Sequence, residues 1–131
     1  SLVSVLKTLA DAQIDLNGLS VADTTEFGVL RLILSDPAKG EEVLQEAGLI
    51  VKATDVLAID VNDTPGGLFQ TADMLASHGL NIEYMYAFGT KKERHAMIIF
   101  KTEDNRKAAD VLKDGGVHVL DTQEVYERLY S

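Results

Sequence analysis

The chain contains an internal repeat, which is visible when the sequence is shifted by 66 residues against itself. The shift places Leu9 on Leu75, and a two-residue adjustment near residues 101–103 then brings Gly48 onto Gly116. The other matched positions are Leu2 with Leu68, Ala10 with Ala76, Ile33 with Ile99, Val43-Leu44 with Val111-Leu112, and Val51 with Val119. A repeat of this length constrains the fold strongly, because each copy must form the same supersecondary unit.

Both copies are expected to contain two helices. Apolar residues at i, i+4 and i+7 indicate the first helix of each copy: Leu2, Leu6 and Leu9, and then Leu68, Ala72 and Leu75. The second helix begins after a capping residue, which is Asp36 before Pro37 in one copy and Thr102 in the other. We expect these helices to end at Gly48 and Gly116, since glycine favours a helix C-terminus.

Apolar runs with a period of two indicate the strands. The period is clearest at residues 82–88, where tyrosines and a phenylalanine alternate with other residues. The predicted hairpins join residues 14–22 to 29–34 and residues 82–88 to 96–100, and short strands follow at 49–53 and 117–120. In the second copy a strand at residues 56–61 comes first.

The resulting order is β-α-β-β-α-β, the ferredoxin-like arrangement. We therefore predict an α+β fold of two such repeats, each with an antiparallel sheet and helices on one face. The predicted domains are residues 1–54 and 55–131, and the second ends in a helix at residues 121–130. Residue 1 matches residue 67, so the first strand and turn of the first copy would lie upstream of Ser1, and we expect a preceding segment.

Charge and composition exclude several classes of function. Acidic residues outnumber basic residues 21 to 12, and a net charge of −9 disfavours nucleic acid and anionic membranes as partners. The absence of cysteine excludes disulfides and suits the cytoplasm. No membrane-spanning apolar run is present, and the three histidines lack the spacing of metal ligands, so we expect no metal and no cofactor.

The turn at residues 62–68 is the strongest candidate site. Thr64 can cap the following helix, Pro65 can occupy its first position, and Gly66 and Gly67 leave backbone N–H groups accessible. Such a helix start favours an anion, including a carboxylate, and Asn62 and Asp63 offer oxygens to an ammonium group. The alternative is that this segment is only a well-capped strand-to-helix turn.

The same segment resembles the ACT domain, a family in which a strand, an xPGxL turn and an L…GxNI pattern recur. Here the matching residues are 62–68 for the turn and Gly79-Leu80-Asn81-Ile82 for the second pattern. The tandem arrangement covers the whole chain and is similar to small stand-alone tandem ACT proteins. The resemblance implies a regulatory module whose amino-acid ligand lies between the turn of one copy and the second strand of a neighbouring copy.

The resemblance assigns the ligand-binding residues position by position. They are Asn62, Asp63, Thr64, Pro65, Gly66, Gly67 and Leu68 in the turn, Asn81, Ile82, Tyr84 and Tyr86 in the strand, and Leu19, Ser20, Ala22 and Asp23 in the first copy. The aromatic strand is compatible with an apolar, aromatic or imidazole ligand side chain. Tyrosines in such a strand more often pack on a sheet face than surround a ligand.

Three functions remain as hypotheses. The first is a sensor that binds a free amino acid, forms a homo-oligomer and regulates a partner such as an enzyme of amino-acid metabolism through ligand-linked rearrangement. The second is an assembly module in which exposed sheet edges pair without a ligand. The third is a small enzyme that uses Asp23, His95 or Tyr86 in acid–base chemistry.

Overall fold

A computed structural model describes residues 2–23, 28–62, 66–89 and 95–130. The chain divides into two compact units, Ser1–Thr54 and Asp55–Ser131, which we call unit 1 and unit 2. Each unit has its own hydrophobic core and an antiparallel sheet flanked by helices. The predicted α+β class with two ferredoxin-like repeats is therefore confirmed.

Unit 1 contains two helices and one hairpin. Its elements are α1 (Leu2–Asp11), β1 (Leu16–Asp23), β2 (Gly28–Leu34) and α2 (Pro37–Glu46). Leu9 and Leu44 are buried between the helices and the sheet, as the apolar spacing predicts. The backbone N–H of Lys39 donates to the Asp36 carboxylate at 3.1 Å, which confirms the predicted cap ahead of Pro37.

Unit 2 contains four strands and three helices among its described residues. Its elements are β3 (Leu57–Asn62), α3 (Gly67–Ser77), β4 (Ile82–Gly89), β5 (His95–Thr102), α4 (Asn105–Asp114), β6 (His118–Val119) and α5 (Thr122–Tyr130). The strands lie in the order β4-β5-β3-β6, and all neighbouring pairs are antiparallel. The central strand β3 therefore carries neighbours on both sides.

The core of unit 2 lies between the sheet and the helix pair α3 and α4. Ile59 and Val61 of β3 pack with Leu75 and Leu112, which belong to the two helices. Each fully buried aliphatic side chain of this kind contributes about 1.5–3 kcal/mol. Because successive strand residues point to opposite faces, Asp60 faces away from α3 and α4.

One predicted helix start differs in detail from the structure, and a second is only partly described. Helix α4 is capped by Asp104, whose carboxylate accepts from the Lys107 N–H, rather than by Thr102. The described part of α3 has Gly66 as its N-cap and starts at Gly67, and the predicted cap Thr64 and first helical position Pro65 lie outside the described residues. Gly66 has a φ of +90°, a conformation that a residue without a Cβ adopts at little cost.

The hairpin registers show that the two-residue difference between the copies lies in the hairpin connection. Asp23 pairs with Gly28 in unit 1, whereas the matching residue Gly89 pairs with Ala96 in unit 2. Both hairpins carry an irregularity at the same place, after Leu16 and after Ile82. The predicted adjustment near residues 101–103 is therefore wrong, and the structural counterpart of Ile33 is Lys101 rather than Ile99.

The strand predicted at residues 49–53 is not formed. Its counterpart β6 is a two-residue strand that pairs with Ile59 and Asp60 of β3. The described residues of unit 1 form a two-stranded sheet without a counterpart of β3, so this segment has no strand beside it with which to pair. Leu49 and Val51 still pack against the unit 1 core, while Ile50 is fully exposed.

Candidate functional site

Unit 2 contains a cleft of about 360 Å³ beside the end of β3. It lies between the first turns of α3 and the connection that leads from α4 into β6. The lining residues are Asp60, Val61, Gly67, Gln70, Thr71, Met74, His95, Gly115, Gly116, Val117 and His118. This volume falls at the lower end of the range for small-molecule sites, about 300–1,000 Å³, and therefore suits a small metabolite.

Close packing of two lining residues shapes one wall of the cleft. A methyl group at residue 115 would overlap the sulfur of Met74, so glycine is needed for the observed approach of α3 to the end of α4. The next residue, Gly116, has a φ of +83°, which turns the chain into β6. The strand β6 then pairs only as far as Asp60, which leaves the last residues of β3 beside the cleft.

Asp60 is an acidic residue that lines the cleft. Its side chain is 14% exposed, and it contacts His95 Nδ1 at 3.1 Å and Arg128 Nη2 at 3.0 Å. Burial alone raises the pKa of this carboxyl, but the hydrogen bonds and positive charges of Arg128 and His95 outweigh burial and hold the pKa below its ordinary value. Asp60 is therefore a carboxylate with fixed orientation at neutral pH.

His118 is a second polar residue of the cleft that contacts a carboxylate. Its Nε2 lies 2.9 Å from Glu124 Oε2. Glu124 also accepts from the Asp121 N–H, and Asp121 accepts from the Glu124 N–H, which forms a capping box at the start of the predicted C-terminal helix. Glu124 thus caps the start of α5 and also contacts His118, which lines the cleft.

The predicted turn residues are partly described. Gly67 lines the cleft, Leu68 is partly exposed, and Gly66 is the N-cap of α3. Asn62 ends β3, where its backbone pairs with that of His95. Asp63, Thr64 and Pro65 lie outside the described residues.

The predicted strand residues do not line this cleft. Tyr84 and Tyr86 make an edge-to-face contact with ring centroids 6.1 Å apart, and their register partners place them on the sheet face away from α3 and α4. Ile82 packs against the core, and the Asn81 N–H donates to the Glu103 carboxylate. Within unit 2, the predicted turn therefore borders the cleft through Gly67, whereas the predicted strand residues lie outside it.

The predicted residues of the first copy lie in strand β1 of unit 1. The backbones of Leu19, Ser20, Ala22 and Asp23 pair with Leu32, Arg31, Val29 and Gly28 of β2. Their assignment to a ligand site stays a prediction. Asp23 belongs to unit 1, whereas the other two residues of the hypothetical acid–base set, His95 and Tyr86, belong to unit 2.

Sequence analysis named His95 only as an acid–base candidate, and it missed the other polar groups of the cleft, namely Asp60, Gln70, Thr71 and His118, as well as their partner Arg128. One signal was available: Asp60 is a charged residue inside an otherwise apolar strand, where an ionic partner is expected. Within the described ranges, no three His, Cys, Asp or Glu side chains are grouped to hold a metal ion. None of the described helices is long and apolar enough to cross a membrane.

Comparison with known proteins supports the repeat analysis. The family described as "ACT domain pair" matches residues 1–128. The crystal structure of protein BT0572 from Bacteroides thetaiotaomicron is 33% identical, with a TM-score of 0.87 over 97% of this chain and 87% of that one. A chain assigned as a glycine cleavage system transcriptional repressor is 14% identical, with a TM-score of 0.34 over 91% of this chain and 86% of that one.

A search of curated proteins gives no match. The family match covers both units, and the similarity to BT0572 extends over nearly the full sequence. These matches agree with the structure, in which both units share the order of strands and helices and the same hairpin irregularity. The chain belongs to the family of ACT domain pairs.

Proposed function

We propose that this protein is a regulatory module that binds a free amino acid and acts through a ligand-linked change in the arrangement of its units or subunits. Membership of the ACT family supports a regulatory, ligand-binding role. The observation that carries the proposal is the position of Gly67, which belongs both to the predicted ligand turn and to the wall of the cleft. The cleft and the start of α3 are therefore one continuous surface.

The chemistry of this surface suits a zwitterion. The first N–H groups of an α-helix have no partner within the helix, and the positive end of the helix dipole favours a carboxylate. Gln70 and Thr71 follow one turn later in the cleft, and the Thr71 hydroxyl donates to the Gly67 carbonyl, which leaves its oxygen available as an acceptor. The acceptors for an ammonium group would be the side-chain oxygens of Gln70 and Thr71, because Arg128 and His95 already hold the Asp60 carboxylate.

Ligand binding would be reported by population shift. A ligand that binds one arrangement of the protein more tightly stabilises it by the difference in binding free energy. The proposed homo-oligomer, and a partner such as an enzyme of amino-acid metabolism, would respond to that arrangement. We propose that this response occurs in the cytoplasm.

The first test is thermal unfolding in the presence of each of the twenty amino acids. A ligand at about 100 times its Kd adds roughly 2.7 kcal/mol to the free energy of unfolding, which raises the midpoint by several degrees for a chain of this size. We expect one amino acid, or a few related ones, to produce this shift. A protein whose midpoint responds to none of them would instead support the ligand-independent assembly module.

The cleft itself is tested by Gly115→Ala. Unit 1 has Ala47 at the matching position with a similar backbone, φ −78° against −84°, so alanine itself is compatible with this conformation. The added methyl group displaces Met74 and reshapes the wall. We expect weaker binding, with some loss of ligand-free stability because Met74, which packs against the core, must move.

The matched control is the double variant that combines Met74→Ala with Gly115→Ala. The Met74→Ala change removes the overlap and should restore part of the ligand-induced shift. A Gly115→Ala protein that responds to the ligand as the unchanged protein does would place the binding site elsewhere.

One observation favours an enzyme as the second candidate. The contact between His95 Nδ1 and Asp60 resembles the pairing in which a carboxylate orients a catalytic imidazole. However, Arg128 also binds this carboxylate and offsets its charge, and the cleft hydroxyl of Thr71 donates to a backbone carbonyl. Turnover of any substrate that is lost in His95→Ala would establish the enzyme, and inertness against a broad substrate panel would count against it.

A further inference from the structure

The C-terminal helix α5 holds two of the polar side chains that line the cleft. Arg128 donates to Asp60 at 3.0 Å, and Glu124 contacts His118 at 2.9 Å. Glu124 and Arg128 are four residues apart, so they lie on the same face of the helix. Asp60 and His118 are register partners on neighbouring strands, so one helix face meets one pair of cleft residues.

This contact lies on the sheet face that is not covered by α3 and α4. Asp60 alternates with the core residues Ile59 and Val61, and it therefore points away from those two helices. A third helix on the opposite face lies outside the β-α-β-β-α-β repeat. The contacts of α5 with Asp60 and His118 therefore have no counterpart among the described residues of unit 1.

Helix α5 depends on these contacts for its position. It has nine residues, and isolated helices of that length are marginal in water. None of the residues 122–129 is fully buried, and its apolar residues Val125 and Leu129 are only half-buried. The contacts of Arg128 and Glu124 therefore add to this partial apolar burial in fixing the helix against the sheet.

We propose that Arg128 and Glu124 are positioning residues of the cleft, and that docking of α5 and occupancy of the cleft favour each other. The coupling between α5 docking and ligand binding rests on the proposed function. When α5 is docked, Asp60 and His118 have fixed orientations, and His95 is held through Asp60. When α5 is released, these side chains lose that constraint, and a ligand that requires the ordered cleft binds more weakly.

The first experiment needs no ligand. The ring resonances of the three histidines are recorded by NMR in the full chain and in Arg128→Gln. We expect the His95 and His118 resonances to move and α5 amides to exchange faster, while His78 stays in place because its ring contacts the Met74 carbonyl at the end of α3. Unchanged His95 and His118 resonances with a released α5 would overturn the positioning role.

Three further variants separate positioning from general destabilisation. Glu124→Gln keeps an oxygen for the capping box but removes the charge that faces His118, so it should move the His118 resonance most. Arg128→Lys keeps the charge and should rescue part of the effect of Arg128→Gln. Lys101→Gln breaks the 2.7 Å pair with Glu83 in the same unit and should leave both cleft histidines unchanged.

The second experiment measures the coupling with the amino acid that gives the largest thermal shift. We expect Arg128→Gln to weaken its binding about tenfold, and ligand to slow hydrogen exchange in α5 of the unchanged protein by a similar factor, because coupling is reciprocal. Equal affinity in both proteins would overturn the coupling. If none of the twenty amino acids binds, the proposed function and the coupling both fail, while the histidine spectra still decide the positioning role.

Discussion

At the scale of single residues, Asp60 shows what sequence can and cannot reveal about this site. Its place in a strand follows from the apolar pattern around it, and a charge in such a strand requires a partner. The partner Arg128 is 68 residues away, and no local pattern connects the two. Only the docking of α5 on the strand pair β3 and β6 brings them together.

The lowered pKa of Asp60 predicts a pH-dependent contribution to stability. Because the folded pKa lies below the unfolded one, the stabilisation is complete above the unfolded pKa and is lost as pH falls through the folded pKa. We expect Asp60→Asn to lower the free energy of unfolding by about 1–3 kcal/mol at neutral pH. The loss should shrink below about pH 4 in urea titrations.

Asp11→Asn is the control for that measurement. Asp11 pairs with Lys7 at 2.7 Å, but both side chains are largely exposed, so the pair contributes little. A loss in Asp60→Asn that is the same at pH 7 and at pH 3 would show that Asp60 acts by packing rather than by charge.

At the scale of elements, the helices were predictable because their signals are local. Asp36 and Asp104 cap equivalent helices, and each accepts from the N–H three residues later at 3.1 Å. The two lysines that donate these N–H groups also make equivalent side-chain contacts. Lys39 Nζ donates to the Ala12 carbonyl and Lys107 Nζ donates to the His78 carbonyl, both at 3.1 Å. Each lysine ties its helix to the end of the preceding one.

This repeated cap gives a prediction for α4. Asp104→Ala leaves the Lys107 N–H without its side-chain acceptor and should lower the free energy of unfolding by about 0.5–2 kcal/mol. Urea titration measures the change. Asp110→Ala, an exposed aspartate in the middle of the same helix, should be neutral or slightly stabilising because alanine favours the helix interior. Equal losses in the two variants would contradict the capping role.

The strands were predictable except at residues 49–53, where none forms, but their alignment between the copies was not. Side chains alternate with a period of two, so a shift of two residues leaves the same residues on the same faces. The sequence therefore fits equally well with the two extra residues in the hairpin or after β5. Backbone pairing distinguishes the two cases, because Gly89 pairs with Ala96 where Asp23 pairs with Gly28.

At the scale of the whole molecule, the two units share a fold but differ at the positions that form the cleft. The repeat predicted the common architecture, since both copies bury matching residues such as Leu9 and Leu75. It did not predict the difference, because β3 lines the cleft and α5 contacts two of the lining residues, Asp60 and His118. The described part of unit 1 contains no counterpart of either element.

The counterparts in unit 1 replace polar cleft residues with apolar ones. Thr71 corresponds to Val5, and His118 corresponds to Ile50, which is fully exposed instead of paired with a strand. Met74 and Gly115 correspond to Thr8 and Ala47. The close packing of Met74 against Gly115, which shapes one wall of the cleft, is therefore specific to unit 2.

Ile50 in the place of His118 has a consequence for stoichiometry. Two equivalent repeats would give two equivalent binding events, but the described residues of unit 1 repeat neither His118 nor the strand with which it pairs. Isothermal titration calorimetry with the amino acid that stabilises the protein should therefore saturate at one molecule per polypeptide. A ratio of two would mean that the duplicated gene kept both sites, whereas a ratio of one would mean that one copy kept recognition and the other diverged.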